Sequence, residues 1–311
     1  MKELSESDID RIKSEHDENT LIAHYTTMDS LYGILNGITT NGDEHQFKLW
    51  ASNIFALNDP SELKYGYSAI RKWLVKIESK LDVPKQEKLS RIWSNANIPD
   101  EKHTHYNKLL EEYIFNHDSI PYILSFSRNI DDLAMFRMYA GEASGVCIIF
   151  SYGLINNICT LNEVCYDMNT GKCVYSPFDM LKKVYELYQN ELHKTPLGDD
   201  NDKLRLMLMH FVTDVLLIAP FVKRGDYEYE QEIRHAMNYK ISDGILFRTN
   251  KNGNIIPYKE IEIPLKAIKK IIIGSCANFE SSKYTIELLF KSKGITNPPK
   301  IEKSQKEYRI F

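Results

Sequence analysis

Apolar positions along the chain change period several times, and the changes mark out elements. LIAHYT at 21–26 reads as a short strand, and Thr26 or Thr27 then stands where a helix cap belongs. Leu31, Ile34 and Leu35 share one face of the helix that follows, which Gly37 ends. FKLWASN is a second strand, closed by ALNDPSE, where Asn58-Asp59-Pro60 forces a turn. From about 61 to 118 the period becomes helical, and strands return with YILSFSRN. DDLAMFRMYAG is a short helix or turn, and GVCIIFSYGLI and EVCYDM…GKCVYS read as successive strands with a buried face. A second helical block covers about 177–220. The last third reads as strands at YEQEIRHAMNY, ILFRTN, IPYKEIEIPL and IKKIIIGS, then a helix at ESSKYTIELLFKSKG and a polar tail.

Strands interrupted by helical blocks, without regular strand–helix alternation, predict an α+β protein with a mostly antiparallel sheet. The expected organisation is a solvated N-terminal helix over 1–19 and a single domain over 20–311, with helical insertions at about 61–118 and 177–220. IIIGSCANFE runs from a strand toward a helix but carries neither G-x-G-x-x-G nor a P-loop, so no nucleotide site is expected there.

Composition narrows the function classes. A net charge of −4 and a pI near 6.2 exclude a global basic field, so nucleic-acid binding would need a local patch, such as Lys223-Arg224 with Lys269-Lys270. The five cysteines are odd in number and lack zinc spacing, which points to reduced thiols and no metal. The polar start is no signal peptide, and no apolar run reaches the ~18 residues of a membrane span. VTDVLLIAPFV is too short and holds Asp214 and Pro220. A soluble, cytoplasmic protein with no membrane partner is expected.

The candidate chemistry lies in DYEYEQEIRHA. Asp226, Glu228, Glu230 and Glu232 alternate, with Arg234 in the same register. On a strand, residues two apart share a face, so four carboxylates would line one side of a sheet. Such a row is either a wet face or the host of a cationic client. Three further islands combine polar and aromatic residues: His24-Tyr25-Thr26; Trp50-Ala51-Ser52 with NDPSE; and SFSRN…MFRMYAG.

In order, these islands resemble a widespread bacterial family catalogued as a domain of unknown function. Its members read approximately H-Y-T…L-W-A-S…N-D-P-x-E, F-S…M-W-x-x-Y-A…G-V-C-I-x-F and W-x-Y-E-x-E-x-R. The matches are His24-Tyr25-Thr26, Leu49-Trp50-Ala51-Ser52, Asn58-Asp59-Pro60 with Glu62, Phe126-Ser127, Met135, Tyr139-Ala140, Gly145-Val146-Cys147-Ile148 with Phe150, and Tyr229-Glu230 with Glu232 and Arg234. Phe136 and Tyr227 stand where the pattern has Trp. That family in turn is similar to the ADP-ribosyltransferases, which implies a split antiparallel sheet around a nicotinamide cleft and NAD as the consumed substrate.

The resemblance implies catalytic roles for Glu232 and Glu230, one orienting NAD and the other activating the acceptor, with Glu232, the second glutamate of E-x-E, expected to be the essential one. It implies NAD-binding roles for His24, Tyr25, Thr26, Ser52, Ser125, Ser127, Tyr139 and Arg234. It also implies transfer to a macromolecular acceptor, nucleic acid (RNA among them) or protein, by a phage-defence toxin silenced by an antitoxin protein. The chemistry suits carboxylates, because cleaving the nicotinamide–ribose bond passes through an oxocarbenium-like state. Two other readings stay open: a catalytically inactive interaction module on the same fold, and a metal-dependent nuclease using Asp226, Glu228, Glu230 and Glu232.

Overall fold

A computed structural model of the chain describes residues 19–42, 44–59, 61–81, 83, 88–90, 119–167, 177–194, 210–211, 214–215, 217–250 and 253–308. The helix expected over 1–19 falls almost wholly outside these residues, as do most of 81–118 and 195–209.

In chain order, β1 (Leu21–Thr26) is followed by α1 (Met28–Asn36), β2 (Thr39–Asn41), β3 (Glu44–Asn53), α2 (Glu62–Lys80), β4 (Ser119–Ser127) and α3 (Leu133–Tyr139). Next come β5 (Val146–Ser151), α4 (Tyr152–Asn156), β6 (Asn162–Glu163), β7 (Cys165–Tyr166), α5 (Pro177–Lys194) and β8 (Val222–Lys223). The chain closes with β9 (Glu232–Lys240), β10 (Leu246–Thr249), β11 (Ile255–Pro264), β12 (Ile268–Ile273), α6 (Phe279–Ser292) and β13 (Lys300–Lys303). Local signals account for several boundaries. The Thr27 hydroxyl caps α1 by accepting from Ser30 N, Asp132 caps α3 by accepting from Met135 N, and Asn278 caps α6 by accepting from Ser281 N. The tail expected to be plain polar chain forms β13 instead. It pairs in parallel with β12 and buries Ile301, a single apolar residue too isolated to show a period.

The protein is therefore a mixed α/β structure built on a large, mostly antiparallel sheet, eleven-stranded among the described residues. The sheet forks at β4. One edge of β4 pairs with β9 along all nine residues. The other edge gives Tyr122 and Ile123 to β3 but Ser127 to β1. Two arms leave the fork, β3–β11–β10 and β1–β5–β12–β13.

Side-chain alternation sorts the core. Phe47 and Leu49 from one arm, Ile148 and Phe150 from the other, and Phe126 at the fork meet in the main apolar cluster, with α1 and α6 against it. Phe47 stacks on Phe150 with ring centroids 6.1 Å apart, and Phe126 meets Phe150 edge-on at 5.7 Å, so the two arms face each other across this core. Each such buried side chain contributes about 1.5–3 kcal/mol. The opposite face carries two smaller clusters. One joins Ile123 to α2 and α5 through Leu63, Tyr67, Ile70, Leu181 and Tyr185. The other joins Ala23, Tyr25, Cys147 and Ile149 to Met135 and Phe136 of α3. Between these clusters, the outer face of β4 and β9 is polar.

Candidate active site

A cavity of about 150 Å³ opens on that polar strip. Ser125, Ser127, Glu232 and Arg234 enter it from β4 and β9, with Lys223 from β8 and Glu230 from the segment between β8 and β9. Glu62 and Asp59 enter at the start of α2, and Tyr139 from the end of α3. His24 and Tyr25 line it from β1.

The acidic stretch does not form the expected row. Residues Gly225–Glu230 coil into a 3-10 turn, and Gln231 takes a left-handed conformation (φ 41°, ψ 54°) before β9 starts at Glu232. Asp226 and Glu228 are exposed on this turn, while Glu230 and Glu232 are buried. The four-carboxylate site of a nuclease is therefore not assembled. A strand would have set four like charges side by side. The turn leaves two exposed and buries two beside cations. Left-handed backbone at a non-glycine residue is strained, and here it sits between the two inward glutamates. The Ser127 hydroxyl donates to the Glu230 carbonyl oxygen at 2.6 Å, and Arg128 N donates to the Gln231 carbonyl at 3.0 Å, which holds the bend against β4.

The buried charges form a chain of alternating sign. Glu62 pairs with Arg234 Nη1. Arg234 grips Glu232 with two parallel bonds, Nε to Oε1 and Nη2 to Oε2, each 2.7 Å. Lys223 Nζ donates to Glu232 Oε2 at 3.0 Å and to Glu230 Oε2 at 2.6 Å. The Tyr139 hydroxyl donates to Glu230 Oε1 at 2.6 Å, and Tyr229 approaches the same oxygen at 3.4 Å. Three carboxylates thus face two cations, leaving one net negative charge. Asp59 at the rim is matched separately by Arg224 at 3.7 Å.

These neighbours set the protonation states. Burial alone would raise the Glu232 carboxyl, but Arg234 and Lys223 outweigh it and hold it down at about 2. Burial likewise opposes the charge on Lys223, yet Glu232 and Glu230 push its ammonium above the ordinary lysine value. Burial and the adjacent Glu230 push the Tyr139 phenol up, so it stays a donor. Burial lowers the His24 imidazole, only partly offset by its bond to the Ser125 carbonyl. That bond is 3.0 Å from Nδ1; a carbonyl only accepts, so Nδ1 carries the proton.

The expected site residues divide. His24, Tyr25, Ser125, Ser127, Tyr139, Glu230, Glu232 and Arg234 line one cavity, whereas Thr26 and Ser52 do not. Thr26 is buried at the end of β1 beside Gly145, and Ser52 accepts from Arg248 on the β3 arm at 3.3 Å, because the fork carries β3 away. His24 pairs in register with Ile148 of the main core, so alternation starts its side chain on the face opposite Glu232. It reaches the cavity because the strands part there, its ring edge-on to Phe126. Tyr25 donates to the Asn129 carbonyl at 2.7 Å and receives from Asp132 N at 2.9 Å, so its hydroxyl ties β1 to the segment before α3. Arg234, expected on NAD, is 1% exposed, and its guanidinium is taken up by Glu232, Glu62 and the Pro220 carbonyl.

Two residues of the network were not expected in it. Lys223, read as part of an exposed basic patch, is 6% exposed. Its signal is a lysine directly after the apolar run LLIAPFV. Glu62 lies on the stripe Leu63, Gly66, Tyr67, Ile70 and Trp73 that α2 buries, and a carboxylate on a buried stripe needs a cation.

A family model described as a protein of unknown function, DUF2971, matches residues 135–235. The match covers about a third of the chain and runs from α3 to β9, so it contains Tyr139, Lys223, Glu230, Glu232 and Arg234. His24, Asp59, Glu62 and Ser125 fall outside it. Neither the curated proteins nor the solved structures contain a match to the chain. Among the described residues, no helix is long and apolar enough to cross a membrane.

Proposed function

We propose that this cavity receives the nicotinamide–ribose end of NAD and that the protein transfers ADP-ribose to a macromolecular acceptor. The observation that carries the reading is the pair of buried glutamates, 2.6 and 3.0 Å from one ammonium, in a cavity whose carboxylates outnumber its cations. Such a cavity favours a developing positive charge. When the C1′–N bond breaks, nicotinamide leaves neutral with the bonding pair, and the anomeric carbon becomes cationic. The acceptor's nucleophile then bonds to that carbon and passes its proton to a carboxylate.

The residues fit the ring end of the substrate. A cavity near 150 Å³ is of the size that takes a single ring, as an apolar cavity of about that volume takes benzene, and not a whole dinucleotide. Tyr139, Tyr227 and Phe126 offer aromatic surface inside, and the remainder of NAD would lie across the rim formed by Leu57, Asn58 and Asp59. The forked sheet supports the same reading, since the opening beside β4 gives His24 access. Its unprotonated Nε2 is an acceptor suited to a ribose hydroxyl. Both oxygens of Glu232 are taken by Arg234, so Glu232 serves as the anchor of the network. Glu230 is held by one close bond on each oxygen and is the carboxylate that meets the anomeric charge.

The test is nicotinamide release from NAD in the presence of cell extract. Glu230→Gln should lower it by roughly 10²–10³, the usual loss for a group that stabilises transition-state charge. No release by the unaltered protein defeats the reading. With labelled NAD, separate nuclease and protease digestions then identify the acceptor. Growth arrest on expression, relieved by Glu230→Gln, tests the toxin role, and co-purification of a neutralising protein tests the antitoxin. A second reading, the inactive interaction module, draws support from the fact that every buried charge of the network already has a partner within the chain. It predicts that calorimetry with NAD gives no turnover heat.

A further inference from the structure

The functional reading leaves Lys223 unused, although it occupies the centre of the site. Its ammonium lies between Glu230 and Glu232 and 4.6 Å from the centre of the Tyr227 ring. A carboxylate pair with an aromatic face is a seat for an organic cation. Lys223 reaches this seat on a long flexible side chain from β8, a strand of two residues. The other cation, Arg234, is held by three groups and fully buried, so it is the fixed part of the network.

We propose that Lys223 is a resident plug in a monovalent organic-cation seat, and that a cationic ligand enters by exchanging with its ammonium. The exchange replaces one positive charge with another and leaves the balance around Glu230 and Glu232 unchanged. A neutral or anionic ligand taking the same place would leave three buried carboxylates, Glu62, Glu230 and Glu232, facing Arg234 alone, a strongly unfavourable arrangement. Lys223 therefore sets the site's selectivity for positive charge and holds it closed when no such ligand is present. The seat rests on the functional reading only for the claim that the exchanging ligand is a substrate.

Two measurements test the exchange without requiring turnover. The first uses the unaltered protein, 1-methylnicotinamide chloride as the probe, and acetylation of lysines by N-hydroxysuccinimidyl acetate read by mass spectrometry. Displacement should speed acetylation of Lys223 by roughly tenfold or more under saturating probe, because the amine leaves a buried ion pair for solvent. Unchanged or slower labelling overturns the proposal. The second uses Lys223→Ala with propylammonium chloride. The variant should melt lower than the unaltered protein, and the small cation should raise its Tm saturably and by clearly more than it raises that of the unaltered protein, where binding must first displace the Lys223 ammonium. If the variant does not fold, Lys223→Met, which keeps the volume of the side chain without its charge and can swing aside as the lysine does, takes its place, with 1-methylnicotinamide chloride as the added cation. Equal effects on variant and unaltered protein, or none, overturn the proposal. Cation exchange without nicotinamide release from NAD would leave the seat standing and sink the transferase reading alone.

Discussion

Glu232→Gln isolates the central ion pair while nearly preserving shape. Glu232 is buried, gripped by both arms of Arg234 and touched by Lys223. Its carboxyl is held from an ordinary 4.5 down to about 2. At about 1.4 kcal/mol per pH unit, that depression corresponds to roughly 3 kcal/mol of folding stability. Removing one partner of a buried pair independently suggests about 3–5 kcal/mol, so the two routes agree. Because the folded carboxyl titrates below the unfolded one, its contribution is complete above the unfolded value. It is lost as pH falls through the folded value. The stability gap between the unaltered protein and Glu232→Gln should stay level above 4.5 and close between 4.5 and about 2. Denaturant titrations followed by tryptophan fluorescence, repeated downward from about pH 7 for as long as the fold persists, measure that gap. A gap near zero at neutral pH would refute the reasoning. So would a gap that does not begin to narrow below 4.5.

Tyr139→Phe deletes the hydroxyl that donates to Glu230 at 2.6 Å and should cost about 1.5–3 kcal/mol, as for hydrogen bonds to charged groups; chemical denaturation checks it. Gly66→Ala puts a methyl group inside contact distance of the Ala219 carbonyl, where backbone cannot yield, and should destabilise by about 1–3 kcal/mol or more in a thermal melt. Asp226→Asn and Glu228→Gln alter exposed side chains and should change stability by less than about 0.5 kcal/mol each. If these two matched Glu232→Gln in size, the division of the acidic stretch into inward and outward pairs would be wrong.

Much of the fold was legible because it rests on local physics. The period of apolar residues marks β1, β3, β5 and β12, whose alternate side chains enter a common core. The Thr27 cap and the Leu31 and Leu35 stripe locate α1 without reference to anything distant. The inventory of the site was also largely readable. Glu230, Glu232 and Arg234 stood out as alternating charges in DYEYEQEIRHA, and Tyr139 stood out through the family resemblance.

What the sequence alone determined, then, was composition and period: which residues are apolar, which stretches are broadly helical or extended, and that carboxylates crowd one stretch. Tertiary structure decided which of them meet. An alternating pattern cannot show that the chain leaves the strand at Gly225–Glu230 and turns at Gln231, since that bend depends on Ser127 and Arg128 a hundred residues earlier. Nor can it show that Lys223 and Glu62 are buried together, although each has apolar neighbours in the chain. Their cost in water is offset only by Arg234, Glu230 and Glu232, which arrive from other elements. The fork at β4 is likewise a property of pairing between distant strands; it carries Ser52 away from the cavity and opens a way in for His24. Periodicity is set by nearest neighbours along the chain, whereas charge balance in a cavity is set by neighbours in space.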